Sequence, residues 1–284
     1  MQKLRISGDS LAHEEIAETL LEEVGVLDAL PTDEIKVLDY LGLRQLSFNF
    51  GEEPDFVQLA PSIPQHLRAA LSVNDRVVIT HTELGLKRHR WSVFHEIAHF
   101  VLPEHLDKIF LDTDKTLSLW TKKRMEREAN RLAADLVFQG NRFTEEALDL
   151  PMSCRTVLEL APRYDASYES AMRRYVERHV IPCAVIVYEK AANAIGDDIE
   201  DARYKIHYTV TSAPFRRQYF AGVKTASELT RGSDIFQVHG SWNIGNIVET
   251  ELSVERTEEQ PWKFQTEIFT NGYKIFQFII RPVQ

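Results

Sequence analysis

His95 and His99 stand four residues apart in the stretch FHEIAHF, residues 94–100, and Glu96 directly follows the first of them. On a helix, side chains four apart diverge by about 40°, so both imidazoles leave one face and can hold the same tetrahedral ion. Glu96 is rotated by about 100° from His95, poorly placed as a ligand and well placed to touch a water beside the ion. Zinc is the expected metal, because imidazole and carboxylate donors in a tetrahedral site suit it and it brings no redox chemistry. The rest of the stretch is apolar. Trp91, Phe94, Ala98 and Leu102 occupy the opposite face, and Val93, Ile97 and Val101 widen it. A helix with so little polar surface must be internal, where three ionisable groups are costly unless paired or metal-bound. The bland reading, unrelated polar residues on a surface helix, does not account for those apolar flanks.

A catalytic site of this type needs a third protein ligand and one open position. His105 follows His99 by six residues and is one candidate, although Leu102 stands where an extended zinc motif places glycine, and Pro103 follows. The better candidate lies in MEREANRLAADLV, residues 125–137. Met125, Ala129, Leu132, Ala133 and Leu136 form its packing stripe. Glu126 and Asn130 share another face one turn apart, so Glu126 can supply a metal oxygen and Asn130 can accept the N–H of a ligand histidine. Glu128 points elsewhere and is expected to be solvated. The alternative for Glu126 is a surface charge paired with Lys123 or Arg127.

These groups need scaffolding. Helical periodicity covers residues 10–24, with Asp9 or Ser10 as cap, and a short helix that Thr32 can cap and Gly42 can end. LRQLSFNF (43–50) and ALSVNDRVVIT (70–80) read as strands, the second with Asn74-Asp75 as a turn. Helices are expected over 88–102, stopped by Pro103, and 119–138, ended at Gly140. Residues 144–179 read as helical with a break near Pro162. Beyond Pro182 the texture turns to strands: PCAVIVYE, RYKIHYTVT, DIFQVHG, GNIVETELSV, KFQTEIF and GYKIFQFIIR, the last two joined at Asn271-Gly272, a strong hairpin signal. HGSWNIGN (239–246) reads as a turn between strands.

The 284 residues carry a net charge of −10, which argues against non-specific nucleic-acid binding by the whole chain. Arg173, Arg174 and Arg178 form a small cluster, but residues 141–178 hold as many acids as bases or more, and packing scaffold is the favoured reading. Cys154 and Cys183 are far apart in sequence and suit free thiols in a reducing compartment, with Cys183 in the core. No run is long enough for a transmembrane helix and no apolar signal core opens the chain, so a cytoplasmic protein is expected.

RHRWSVFHEIAHFVL (88–102) followed by MEREANRLAADLVF (125–138) resembles the ImmA/IrrE family of zinc metallopeptidases, HExxH proteins of the gluzincin type. The resemblance is strong over 65–145 and includes the strand ahead of the HExxH helix. It weakens over 146–180, and the remainder is loosely similar to a GAF-like domain. Val137-Phe138-Gln139 departs from the Leu-Met-Pro that family members commonly show after the second helix. The resemblance implies His95, His99 and Glu126 as ligands of Zn2+ and Glu96 as catalytic base. It implies an α+β fold: a zincin-like metallopeptidase domain with a helical bundle over 1–143, a helical, helix-turn-helix-like segment over 144–180, and a sheet-rich, GAF-like and sensory C-terminal domain over 181–284. The implied activity is endoproteolysis of a helix-turn-helix transcriptional repressor under stress. The alternative is a non-catalytic regulator that binds a repressor or DNA through the same fold. His81, Arg90, His105 and several tyrosines are all open as donors to the oxyanion such chemistry creates.

Overall fold

The computed structural model describes residues 13–49, 68–106, 119–190, 204–219, 228–229, 245–254 and 261–283. Helix and sheet are both present, in an α+β arrangement. The chain divides into two units, Met1–Arg142 with Arg163–Ala166, and Phe143–Pro162 with Ser167–Gln284.

In the first unit, α1 (His13–Val24) buries Ile16, Ala17, Leu20 and Leu21 along one stripe. α2 (Glu34–Leu41) ends as expected at Gly42, whose φ of 66° is left-handed. Its cap is Asp33, not Thr32: the Asp33 carboxylate accepts from the backbone N–H of Ile35 and Lys36. Thr32 is fully buried, and its hydroxyl donates instead to the Leu136 carbonyl at 3.0 Å. β1 (Arg44–Phe48), β2 (Ala69–Ser72) and β3 (Val77–His81) form a sheet of order β1-β3-β2. β1 runs parallel to β3 and β2 antiparallel to it. The turn between β2 and β3 falls at the Asn74-Asp75 site, where the Ser72 hydroxyl donates to Asp75 and Arg76 takes a φ of 55°.

Two long helices follow. α3 (Leu86–Val101) has its core-facing residues Val93, Phe94, Ile97 and Ala98 fully buried. α4 (Leu119–Phe138) buries Met125, Ala129, Leu132, Ala133 and Leu136, the stripe its periodicity predicts. The two helices pack on each other, and α4 also packs on α1. α4 ends at Phe138, as expected, but the left-handed turn begins before Gly140. Gln139, 1% exposed, already has a φ of 53°. Its side-chain amide donates to the Ala29 carbonyl at 2.6 Å and accepts from Asp28 N–H at 3.1 Å, which offsets the cost of a left-handed non-glycine residue.

The second unit carries α5 (Arg142–Leu148), α6 (Cys154–Arg163), α7 (Tyr168–Arg178), β4 (Ala184–Lys190), β5 (Tyr204–Thr211), α8 (Ala213–Gln218), β6 (Glu228–Leu229), β7 (Val248–Val254), β8 (Trp262–Thr270) and β9 (Lys274–Pro282). Its six strands form one antiparallel sheet of order β6-β5-β4-β9-β8-β7. Ala184, Ile186, Tyr188, Phe264, Ile268, Ile275 and Ile279 cluster with Phe215 of α8. α7 packs on the sheet through Tyr175 against Phe278 and Tyr168 against Phe269. Glu267 of β8 accepts from Cys154 N–H at 2.6 Å and the Ser153 hydroxyl at 2.8 Å, capping α6 from the sheet. The β8–β9 hairpin forms where Asn-Gly predicts it: Asn271 Oδ1 accepts from Tyr273 and Lys274 N–H, and Gly272 sits at a φ of 89°. Pro162 lies inside the last turn of α6, and the break comes at Asp165, with a φ of 47°. α8 was missing from the sequence reading, although Ser212 as cap with Pro214 in the first turn is a helix-start signal. The DIFQVHG strand and the cap at Asp9 or Ser10 lie outside the described residues.

The arginine cluster does not make a basic face. Arg174 is buried, and Arg173 pairs with Glu177 at 2.9 Å and lies over the Tyr208 ring. Cys154 and Cys183 are free and buried. No helix among the described residues is long and apolar enough to cross a membrane.

His179, 5% exposed after α7, accepts the Ile181 N–H through Nδ1. Burial pulls its pKa below the ordinary 6.5. The folded state therefore refuses a proton that the unfolded chain accepts, so this contribution is complete above about pH 6.5 and fades as pH falls through the depressed value. Thermal midpoints of wild type and His179→Asn should converge as pH drops from 7.5 to 5, the wild type losing more.

Candidate metal centre

α3 is held at its N-terminal half by Arg90, which is 5% exposed. It donates to the carbonyls of Thr32 and Tyr164 and to Glu34, and lies over the Phe94 ring with its carbon 5.0 Å from the centroid. Asp165 stands 3.8 Å away. Lys87 donates to the Ala166 carbonyl at 2.8 Å. From the other side His89 Nε2 accepts from Gln45 at 2.8 Å and faces the Thr80 hydroxyl at 3.0 Å, tying α3 to β1 and β3. Arg90 is thus committed to the scaffold and is no oxyanion donor. Arg90→Ala would leave two buried carbonyls without this donor and is expected to cost about 3 kcal/mol in denaturant unfolding. Arg90→Lys restores only part, since an ammonium cannot reproduce the planar fork.

With α3 so placed, His95 and His99 direct their Nε2 atoms to within 3.2 Å of each other. α4 brings Glu126 to meet them: Oε2 lies 3.2 Å from His95 Nε2 and Oε1 lies 3.5 Å from His99 Nε2. Among the described residues these three side chains form the group able to hold a metal ion, each offering a donor within 4.8 Å of the others. Ligand bonds of about 2.0–2.1 Å in a tetrahedral site put neighbouring donors about 3.3 Å apart. The observed separations fit that spacing. Two imidazole nitrogens and a carboxylate facing one point also require a proton or a cation between them. Glu126 is 58% exposed at its side chain, so the centre opens to solvent.

The electrostatics follow from this crowding. Hydrogen bonding and charge at the adjacent imidazoles, His95 first and His99 beside it, pull the Glu126 pKa far below the usual carboxylate range, and burial only partly opposes them. Burial pulls His95 down, but its hydrogen bond to Glu126, the charges of Glu96 and Glu126, and a hydrogen bond with Asn130 together raise it. Burial pushes Glu96 up, with the histidines opposing and Glu126 adding to the rise. Glu96 is 9% exposed and is not among the three converging donors.

Asn130 meets His95, as the shared face of α4 predicts. His105 does not join the donors. It lies behind His99, with its Nδ1 3.0 Å from His99 Nδ1. Glu128, expected in solvent, is half-buried and stands 3.1 Å from His105 Nε2. The sequence reading missed this because the placement of Glu128 depends on where the 102–106 segment passes α4. His81 accepts the Glu83 N–H through Nδ1 at the end of β3.

A search of curated protein sequences finds no match. Among solved structures, a Mycobacterium tuberculosis transcriptional regulator is similar at a TM-score of 0.55 and 14% identity, over 95% of this chain and 75% of that one. At that identity the likeness is one of fold. Residues 58–175 match the IrrE N-terminal-like domain, Peptidase_M78, and the matched span contains His95, Glu96, His99, Glu126 and Asn130. Over residues 58–175, the chain is similar to the family of the IrrE N-terminal-like domain.

Proposed function

We propose that the first unit is a zinc-dependent endopeptidase and that its substrate is a helix-turn-helix transcriptional repressor whose cleavage relieves repression under stress. The observation that carries this reading is the convergence of His95, His99 and Glu126 from two helices, with buried Glu96 beside them. The two imidazoles and the Glu126 carboxylate would hold the ion, which when bound supplies Lewis-acid polarisation of a carbonyl and acidifies water. Glu96 accepts the proton of the attacking water and delivers it to the leaving amine, and the burial that raises its pKa suits it to both transfers. Asn130 hydrogen-bonds the His95 ring and helps to orient it. β2 lies at one edge of its sheet among the described residues and packs against α3, so an extended peptide could be held along it by main-chain pairing. The antiparallel sheet of the second unit supports a GAF-like, sensory role for that region.

A second reading, a regulator that binds a repressor or DNA without cutting, is favoured by the fold shared with a transcriptional regulator. Incubating zinc-loaded protein with helix-turn-helix repressors and measuring intact masses separates the two. Cleaved fragments support the peptidase. A stable complex with unchanged masses supports the binding protein and ends the peptidase reading.

A further inference from the structure

The two imidazoles at the centre are backed differently. His95 has the amide of Asn130. His99 has a second ring: His105 Nδ1 lies 3.0 Å from His99 Nδ1, and His105 Nε2 lies 3.1 Å from Glu128 Oε2. His105 is 1% exposed. Glu128 is in turn flanked by Arg124, whose Nε is 3.5 Å from Oε1 and whose Nη2 donates to Glu104 at 3.0 Å. The chain of contacts therefore runs from the candidate metal point through two imidazoles to a carboxylate set beside a guanidinium.

The direction of the hydrogen bonds follows from what each group can do. An ionised carboxylate only accepts, so the hydrogen between His105 and Glu128 belongs to His105 Nε2. A neutral His105 then presents the lone pair of Nδ1 to His99. His99 must supply the hydrogen of that contact from its own Nδ1, which in the neutral ring leaves the lone pair of His99 on Nε2. That is the nitrogen 3.5 Å from Glu126 and 3.2 Å from His95 Nε2. With the opposite tautomer, His99 would point an N–H into the donor set and two lone pairs would face each other behind it.

We infer that His105 is a positioning residue for the metal centre: with Glu128 it fixes the tautomer and ring orientation of His99, so that Nε2 is a free donor before any ion arrives. The inference rests on the metal-site reading for its purpose, though the tautomer itself is a property of the metal-free protein. The six-residue spacing that made His105 look like a third ligand instead carries the chain past the end of α3 and brings the imidazole behind the one it supports. Outer partners of ligand histidines commonly change metal affinity by about 10–100-fold when removed.

Nitrogen-15 NMR of the histidine rings in metal-free protein tests the tautomers directly. Expected are a proton on Nδ1 of His99 and on Nε2 of His105, with the His99 pattern becoming mixed in His105→Phe. A proton on His99 Nε2 in the wild type, or an unchanged His99 pattern in the variant, overturns the inference. Competition for Zn2+ against a chromophoric chelator gives the second readout. Glu128→Leu should weaken binding by about 10–100-fold, while Glu128→Gln, which keeps an oxygen acceptor for His105, should stay within a few-fold of wild type. Equal affinity in all three proteins overturns the proposed role. If His105→Phe does not fold, the two Glu128 variants decide. Failure of the wild type to take up Zn2+ would end the zinc reading instead, and the ring tautomers would still decide the role of His105.

Discussion

Glu96→Gln should take up as much zinc as the wild type and cleave about 10²–10⁴-fold more slowly. The magnitude is what a positioned general acid–base contributes. The reason zinc is retained is geometric. Glu96 is not part of the converging donor group, so removing its charge leaves His95, His99 and Glu126 intact. Glutamine fills nearly the same volume at a site that is 9% exposed, so packing changes little. It can neither accept the proton of water nor return one to the leaving amine. Metal content by atomic emission and cleavage by intact mass are the two measurements, and the pair is diagnostic. Full cleavage with full zinc would remove Glu96 from its role. Loss of both would make it a ligand or a packing residue instead.

Glu126→Ala should have the larger effect on the metal. It deletes one of three protein donors, so affinity for Zn2+ should fall by more than the roughly 10–100-fold that loss of an outer partner costs. Little compensation is expected, because the side chain already stands largely in water and no backbone need move to open the gap. The same substitution tests the electrostatics without metal. In the wild type burial lowers the pKa of His95, and Glu126, Glu96 and Asn130 more than reverse that. With Glu126 gone the burial effect should win over the remaining partners more easily, and His95 should titrate at lower pH, visible by NMR. The sign for metal binding follows. Protons and zinc compete for His95, so wild-type affinity should begin to decline on acidification above the ordinary 6.5. Affinity that stayed constant down to pH 5 would contradict this placement of His95.

Local rules carried much of the reading. The four-residue repeat of His95 and His99 fixes their common direction on any α-helix, and the apolar residues around them require that helix to be internal. The stripe Met125, Ala129, Leu132, Ala133 and Leu136 is likewise buried where its period puts it. Asn271-Gly272 makes its hairpin because only a few residues tolerate that turn. In each case the interaction that decides the outcome lies within a turn or two of the residue concerned.

Thr32 and Gln139 show where such rules stop. Both have alternatives in their own backbone neighbourhood, and contacts across more than 100 residues prevailed: Thr32 with Leu136, Gln139 with Ala29 and Asp28. The metal centre divides along the same line. Spacing alone aligned the two histidines and set Asn130 one turn from Glu126. The rotation of α4 against α3 and the path of residues 102–106 were settled by packing, and they brought Glu126 in front of His99 and His105 with Glu128 behind it. A helix's own periodicity sets which side chains share a face. Which partner that face meets is determined by the burial of residues distant in the chain.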